Sequence, residues 1–308
     1  SIQLFDLISS LSEKYGQNNI FYLSAHKNHF NDALEDYNIK INNLRTEISY
    51  FGFRLWHLLS SKRKLLSKNS IEKFDLIIDL QSKLRNTLVL KQIPNIHFYS
   101  STFNFKFCST HKDYISTKYD NNKILLNVEK LLNDTIVSKK YNTDLIDDKY
   151  FIEAKRLLPD SNYIGFSITQ GNAYRKKSWP IEKFLGVAKK ISKQNKKPVF
   201  FIERNNFDLI NKITREIKNV LIPELESNLS GPPLVTALSK RLEKAISIDN
   251  GIMHMIGLAD IPMIVLFGPT NSKKFSPKIK NINILDSKIL YNSEEISKIK
   301  EQDVLNLI

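Results

Sequence analysis

The chain has 308 residues, too many for one ordinary compact domain and suited to two. Hydrophobic residues at 42% suffice for real cores, charged residues at 25% exclude a disordered composition, and the single cysteine, Cys108, excludes an internal disulfide, as fits a reducing compartment. The formal charge of +14 favours anionic partners, but Lys far outnumbers Arg in a chain rich in Asn, Ile, Phe and Tyr. With no zinc-finger spacing and no RNA-binding signature, nucleic acid ranks well below a small anionic substrate. No apolar run approaches the ~20 residues that span a bilayer, and no signal-peptide pattern opens the chain.

In chain order, Leu4, Leu7, Ile8 and Leu11 have helical spacing, so the chain opens in a helix over 2–14. A strand is expected at 19–25. An amphipathic helix follows over 50–68, with Lys62-Arg63-Lys64 near its end. The short apolar run at 74–80 reads as a buried parallel strand, and 95–100 as another. Residues 123–134 place Leu125, Val128, Leu131 and Leu132 on one helical face. The polar stretch 138–150 reads as a linker, and 147–158 as a bridging helix stopped at Pro159. A second alternation follows. Strands are expected at 163–168, 198–202, 220–222, 245–248, 263–267 and 281–285. Helices are expected at 180–194 (with Pro180 in its first turn), 207–218, 232–243, 251–259 and 293–306. Strands alternating with helices mean βαβ units and parallel sheets, and two such blocks mean two doubly wound domains. Such a domain usually begins with its first strand and turn. This chain begins at Ser1 in what reads as the following helix, so a preceding strand is expected.

The densest chemistry is at 245–270. Asp249-Asn250-Gly251-Ile252-Met253-His254 follows one strand, and Phe267-Gly268-Pro269-Thr270 follows the next. In open α/β sheets ligands bind at the carboxyl edge of the strands. Gly251 is expected to permit a tight turn into the helix, whose free N–H groups and partial positive charge suit a pyrophosphate. His254, on the first turn, is placed to reach a phosphate or orient Asp249. The residues alone leave two readings open: this phosphate site, or a plain N-cap at Asp249 or Asn250 with a packed histidine.

Asp-x-Gly-x-x-His, a short helix, a Pro-led strand and Phe-Gly-Pro-Thr resemble the signature of the ADP-heptose:lipopolysaccharide heptosyltransferases, glycosyltransferase family 9. Asn250 stands where that family usually has Ser or Thr. A second block agrees: a strand ending near Ser167 and Thr169, then Lys177-Ser178-Trp179-Pro180 opening a helix. Arg175 and Lys176 are alternatives to Lys177, and a merely solvated basic loop is the plainer reading. Trp179 reads as a packing anchor. A third block, 74–80 followed by Gln81-Ser82-Lys83-Leu84-Arg85, resembles the family's Asp-x-Gln-Gly-x-x-Lys, with Ser82 for the usual Gly. A strand end and helix start without a ligand is equally compatible with that spacing. Phe200-Phe201-Ile202-Glu203-Arg204 lacks the Gly common after this strand in the family, which puts the ribose contacts of Glu203 in doubt.

The resemblance implies an α/β GT-B fold, two doubly wound Rossmann-like domains facing across a cleft. Residues 1–145 would bind acceptor and 146–292 the nucleotide sugar, with a helix in 293–308 packing back on the first domain. It implies inverting transfer of heptose from ADP-heptose to a lipopolysaccharide inner-core acceptor. Lys177 and Asp249 would serve catalysis. The donor set would be Ser167, Thr169, Lys177, Glu203, Asp249, Asn250, Gly251, Ile252, Met253 and His254. Gln81, Arg85, Arg63 and Lys64 would serve the acceptor. No Asp-x-Asp motif occurs, so the reading needs no metal and no cofactor. The family's base is an Asp in the turn after the first strand, expected ahead of Ser1; Asp6 is not its equivalent, and a protein truly starting at Ser1 is expected to be inactive. The basic and aromatic segment 44–73 suits an anionic lipid surface. A cytoplasmic monomer, peripheral on the inner membrane of a Gram-negative bacterium, is expected. The alternatives are another nucleotide sugar or acceptor, or a non-catalytic nucleotide-sugar binder on the same scaffold.

Overall fold

The structure, a computed structural model, describes residues 2–24, 29–44, 71–117, 123–171 and 177–308. The helix expected at 50–68, with Arg63 and Lys64, lies outside the described residues, as do Arg175 and Lys176. The chain divides into two compact units, Gln3–Glu35 with Ile39–Tyr141, and Asp36–Asn38 with Asn142–Ile308.

The first unit contains α1 (Phe5–Tyr15), β1 (Phe21–Tyr22), β2 (Asn42–Asn43), β3 (Phe74–Asp79), α2 (Leu84–Lys91), β4 (Asn95–Ser100) and α3 (Lys123–Leu132). β1 pairs with β2 and β3 with β4, both in parallel. The strand expected at 19–25 is ladder-paired only at Phe21 and Tyr22. Leu11 of α1 and Val128 and Leu131 of α3 meet Tyr99 and Phe105 in one core, which is why the helical periodicity in both segments was legible. The stretch expected as a linker contains the division between the units, and its start is anchored on α1. Lys139 N–H donates to Ser10 Oγ at 2.8 Å and Tyr141 N–H to Asp6 Oδ1 at 2.8 Å.

After β4, Phe103, Asn104 and Phe105 stand in succession at φ 47°, 52° and 65°. A left-handed backbone costs an L-residue about 1–2 kcal/mol, so two phenylalanines there must be held in place. Thr102 Oγ1 shares hydrogen bonds with Thr87 at 2.7 Å and Ser100 at 3.0 Å before the turn. The Phe105 ring is buried against Tyr99 and Tyr114, centroids at 6.1 and 5.0 Å.

The second unit runs α4 (Asp148–Leu157), β5 (Tyr163–Ser167), α5 (Ile181–Ser192), β6 (Lys197–Phe201), α6 (Phe207–Glu216), α7 (Pro223–Glu226), α8 (Pro232–Ser239), β7 (Lys244–Ile248), α9 (Gly251–Leu258), β8 (Met263–Phe267), α10 (Ser272–Phe275), β9 (Ile282–Asp286), α11 (Ser287–Tyr291) and α12 (Glu301–Leu305). Its strands form one five-stranded sheet in the order β6-β5-β7-β8-β9, all pairings parallel. Every residue of β5 and β8 is buried, as a strand covered on both faces requires. Phe166 stacks on Phe200 at 4.7 Å across β5 and β6. The strand expected at 220–222 is reduced to a single bridge from Leu221 to Val199; Pro223 opens α7 directly behind it and ends the ladder. β6 lies on one side of β5 and β7 on the other. The chain order therefore reverses between β5 and β7, and in open α/β sheets that switch point opens the ligand crevice.

Residues 293–308 pack within this second unit. Ile299 and Val304 are fully buried in its core, Trp179 Nε1 donates to Ile299 O at 2.9 Å, and α12 contacts α5. The physical reason is that the apolar face of α5 needs a cover at this edge, and Ile296, Ile299 and Val304 supply it.

Candidate functional site

The carboxyl ends of β5 and β7 meet at the switch point, and Asn250 ties them together. Its Nδ2 donates to Ser167 Oγ at 2.7 Å and to Thr169 O at 2.8 Å, both beyond or at the end of β5. Its Oδ1 accepts from Met253 N–H at 2.8 Å, which makes it the N-cap of α9. One side chain thus fixes the start of the helix and the spacing of two strands.

Asp249, immediately before this cap, is 8% exposed. Its carboxylate receives Lys177 Nζ in an ion pair whose side chains are 12% and 9% exposed. Lys177 lies beyond the end of the other strand, β5, and its own N–H donates to Gln170 Oε1 at 2.9 Å. A nearly buried pair holds because each charge keeps a partner. His254 lies one turn into α9. Burial pushes its imidazolium down to about 4, with Asp249 opposing and Lys177 reinforcing the shift. His254 is therefore neutral at neutral pH. The same sheet edge carries Thr270, whose Oγ1 is buried with no hydrogen-bond partner among the described residues.

The remaining expected donor residues differ in exposure and partners. Ser167 is fully buried and accepts the hydrogen bond from Asn250 Nδ2. Met253 is buried, and its N–H is spent on the cap. Gly251 does not have a left-handed backbone, so it is not required for a tight turn. A Cβ built there meets nothing within 4 Å, and the residue is exposed. Ile252 beside it is half-buried. Glu203 is exposed and sits beside Glu224, whose carboxyl is pushed up by burial and then by Glu203 itself. Trp179 is the packing anchor, 2% exposed and edge-on to Phe184 at 4.8 Å.

In the first unit, Gln81 and Arg85 are both exposed at the end of β3 and the start of α2. Gln81 Oε1 accepts Asn86 Nδ2 at 2.6 Å. Sequence reasoning missed the hub beneath them. Asp79, 2% exposed, accepts Gln81 N–H at 3.0 Å, Ser82 N–H at 3.1 Å, Thr87 Oγ1 at 2.6 Å and Ser100 Oγ at 2.9 Å. Ser82, at φ 52°, occupies a backbone state that favours glycine, which accounts for the Gly of the pattern it resembles. The available signal was an Asp closing an apolar strand, a residue type rarely buried without saturating partners.

Residues 62–305 match Glycosyltransferase family 9 (heptosyltransferase). The chain belongs to that family. Its α/β, parallel-stranded architecture is the GT-B fold of family 9 transferases. A family 9 glycosyl transferase from Veillonella parvula DSM 2008 superposes with a TM-score of 0.71 at 18% identity, covering 99% of this chain and 92% of that one. E. coli heptosyltransferase WaaC with ADP gives 0.65 at 13% identity, with 99% and 95% covered. E. coli ADP-heptose lps heptosyltransferase II gives 0.63 at 13%, with 99% and 93% covered. A search of curated proteins finds no significant match. Family membership supports a glycosyltransferase. Among the described residues no cluster of His, Cys, Asp or Glu is able to hold a metal, and no helix is long and apolar enough to cross a membrane.

Proposed function

We propose that this family 9 chain transfers heptose from ADP-heptose to a lipopolysaccharide inner-core acceptor, with inversion at the anomeric carbon. The observation that carries the proposal is the Lys177–Asp249 pair beside the Asn250 cap at the switch point. The solved relatives support it: WaaC structures hold ADP and ADP-2-deoxy-2-fluoro heptose.

In this reading the donor diphosphate lies over the start of α9, at Gly251 and Ile252, where backbone N–H groups and the helix dipole meet it. An open space above Gly251 leaves room for that approach. Lys177 turns its remaining N–H donors toward the diphosphate and stabilises the charge that grows on the leaving ADP. Asp249 only accepts hydrogen bonds when ionised, and a diphosphate offers none to accept. Of the donor's hydroxyls, this reading assigns it one on the transferred sugar. Neutral His254 donates a hydrogen bond without adding charge, and Thr270 gives its Oγ1 proton to the ligand. Gln81 and Arg85 serve the anionic acceptor, and a carboxylate takes the proton from the attacking hydroxyl. A cytoplasmic or membrane-peripheral location and a monomeric state belong to the same proposal.

Calorimetry tests this with ADP, ADP-heptose, ADP-glucose, UDP-glucose and GDP-mannose. Lys177→Ala is expected to weaken both ADP and ADP-heptose by about 10–100-fold, the scale of one charge-assisted hydrogen bond. Asp249→Ala is expected to weaken ADP-heptose more than ADP. Binding of no ADP compound, or preference for a uridine or guanosine sugar, contradicts the donor assignment.

A further inference from the structure

We propose that the left-handed turn at Phe103–Asn104–Phe105 is a saccharide platform, with the Phe103 ring stacking on a sugar of the acceptor. This rests on the reading that the first unit binds acceptor.

Three observations converge. The first is backbone strain: three successive residues stand at φ 47°, 52° and 65°, two of them phenylalanine. Strained residues of this kind persist where the surroundings over-determine them, and they cluster at ligand clamps. Burial explains Phe105, which is 7% exposed, but not Phe103, which is 59% exposed. The strain thus carries one aromatic ring into water.

The second is place. The turn follows β4 and adjoins the turn that follows β3. Ser101 Oγ and Ser82 Oγ share a hydrogen bond of 2.5 Å, and Thr102 Oγ1 joins Thr87 and thereby the buried Asp79. Phe103 therefore stands at the carboxyl edge of a parallel strand pair, where α/β sheets bind ligands, on a base fixed by the same hub that shapes the Gln81 turn.

The third is chemistry. The Phe107 ring flanks Phe103 at 6.2 Å between centroids. Lys91 Nζ lies 5.7 Å from the Phe107 ring and donates to Phe107 O at 2.9 Å. Exposed Asn104 and Lys106 complete the rim. An aromatic face is electron-rich and attracts the polarised C–H groups on the apolar side of a sugar ring. The surrounding amide and ammonium groups suit its hydroxyls and acidic substituents. One exposed ring with a polar rim is too small for a protein interface or a bilayer, and it fits a single acidic saccharide ring.

The test uses the full chain, with de-acylated lipopolysaccharide core oligosaccharide (phosphates retained) and maltose as probes, and ADP as a donor-side control. Affinity is read by calorimetry and ring contact by saturation-transfer NMR. Phe103→Gly relieves a left-handed residue, so this variant is expected to melt at a higher temperature than wild type. It is expected to lose about tenfold or more in affinity for the core oligosaccharide, the scale of one aromatic contact, with ADP affinity unchanged. Phe103→Trp is expected to retain oligosaccharide binding. The proposal is overturned if Phe103→Gly binds the oligosaccharide as wild type does, if its melting temperature and ADP affinity fall together, or if wild type binds neither saccharide. Phe103-dependent saccharide binding in a chain that binds no ADP would sustain the platform and refute the transferase reading instead.

Discussion

Asn250 offers a perturbation whose size follows from the structure. Replacing it with Ala removes the cap on Met253 N–H and both bonds to the β5 end, at Ser167 Oγ and Thr169 O. Loss of an N-cap costs about 1 kcal/mol, and each of the other two hydrogen bonds about 0.5–1.5 kcal/mol. The sum is about 2–4 kcal/mol. Asn250→Ser keeps a capping oxygen but does not span to Thr169, so its expected cost is about 0.5–1.5 kcal/mol. Equilibrium denaturation in urea, followed by far-UV circular dichroism, measures both. ADP affinity should fall in parallel, because the loop bearing Lys177 loses its tie to the helix. Asn250→Ala within ~0.5 kcal/mol of wild type, the range of an ordinary surface change, would refute the claim that this residue locks the switch point. Equal damage from Ala and Ser would refute the division of labour.

Other consequences follow from the same geometry. Lys177→Met and Asp249→Leu should each destabilise the protein by about 3–5 kcal/mol, because each leaves a nearly buried charge alone, while the double substitution should recover most of that loss; additive losses in a thermal-denaturation cycle would mean that the pair does not interact. His254 should titrate near 4 by NMR. The folded pKa lies below the ordinary value, so the unfolded chain binds the proton first, and stability should decline as pH falls from about 6.5 toward 4. A midpoint near 6.5 would contradict its burial. Gly165→Ala should cost about 1–3 kcal/mol by overpacking, because its Cβ would come within 2.5 Å of Leu242 Cδ1 and 3.2 Å of Phe201 Cε2; an unchanged melting temperature would argue against the observed fit of β5 in the sheet.

The sequence carried the layout because buried parallel strands announce themselves as apolar runs. β3, β4, β5, β6, β7, β8 and β9 all lie within a residue or two of the runs that predicted them. The segment 220–222 failed because an apolar triplet says nothing about the proline that ends its pairing. The cover that Ile296, Ile299 and Val304 give to α5 was illegible for a related reason: an amphipathic stretch specifies that it covers something, not what. At the site, Asp249, Asn250 and Lys177 were legible as a pattern, but not the threefold role of Asn250, which depends on contacts 81 and 83 residues away. Ser167 and Met253 are named by position in a motif, yet strand and helix geometry turn them inward. The Asp79 hub and the left-handed turn after β4 arise from tertiary hydrogen bonds that no local spacing encodes.

Transfer of a sugar from an ADP donor bound at the β5–β7 switch point can be measured directly. The direct measurement supplies ADP-heptose and a de-acylated inner-core acceptor to the protein, and follows ADP release together with the anomeric configuration of the product by NMR. The account predicts stoichiometric ADP and an inverted glycoside, both suppressed in Lys177→Ala. Failure of the folded protein to consume ADP-heptose, or turnover unaffected by Lys177→Ala, would contradict it.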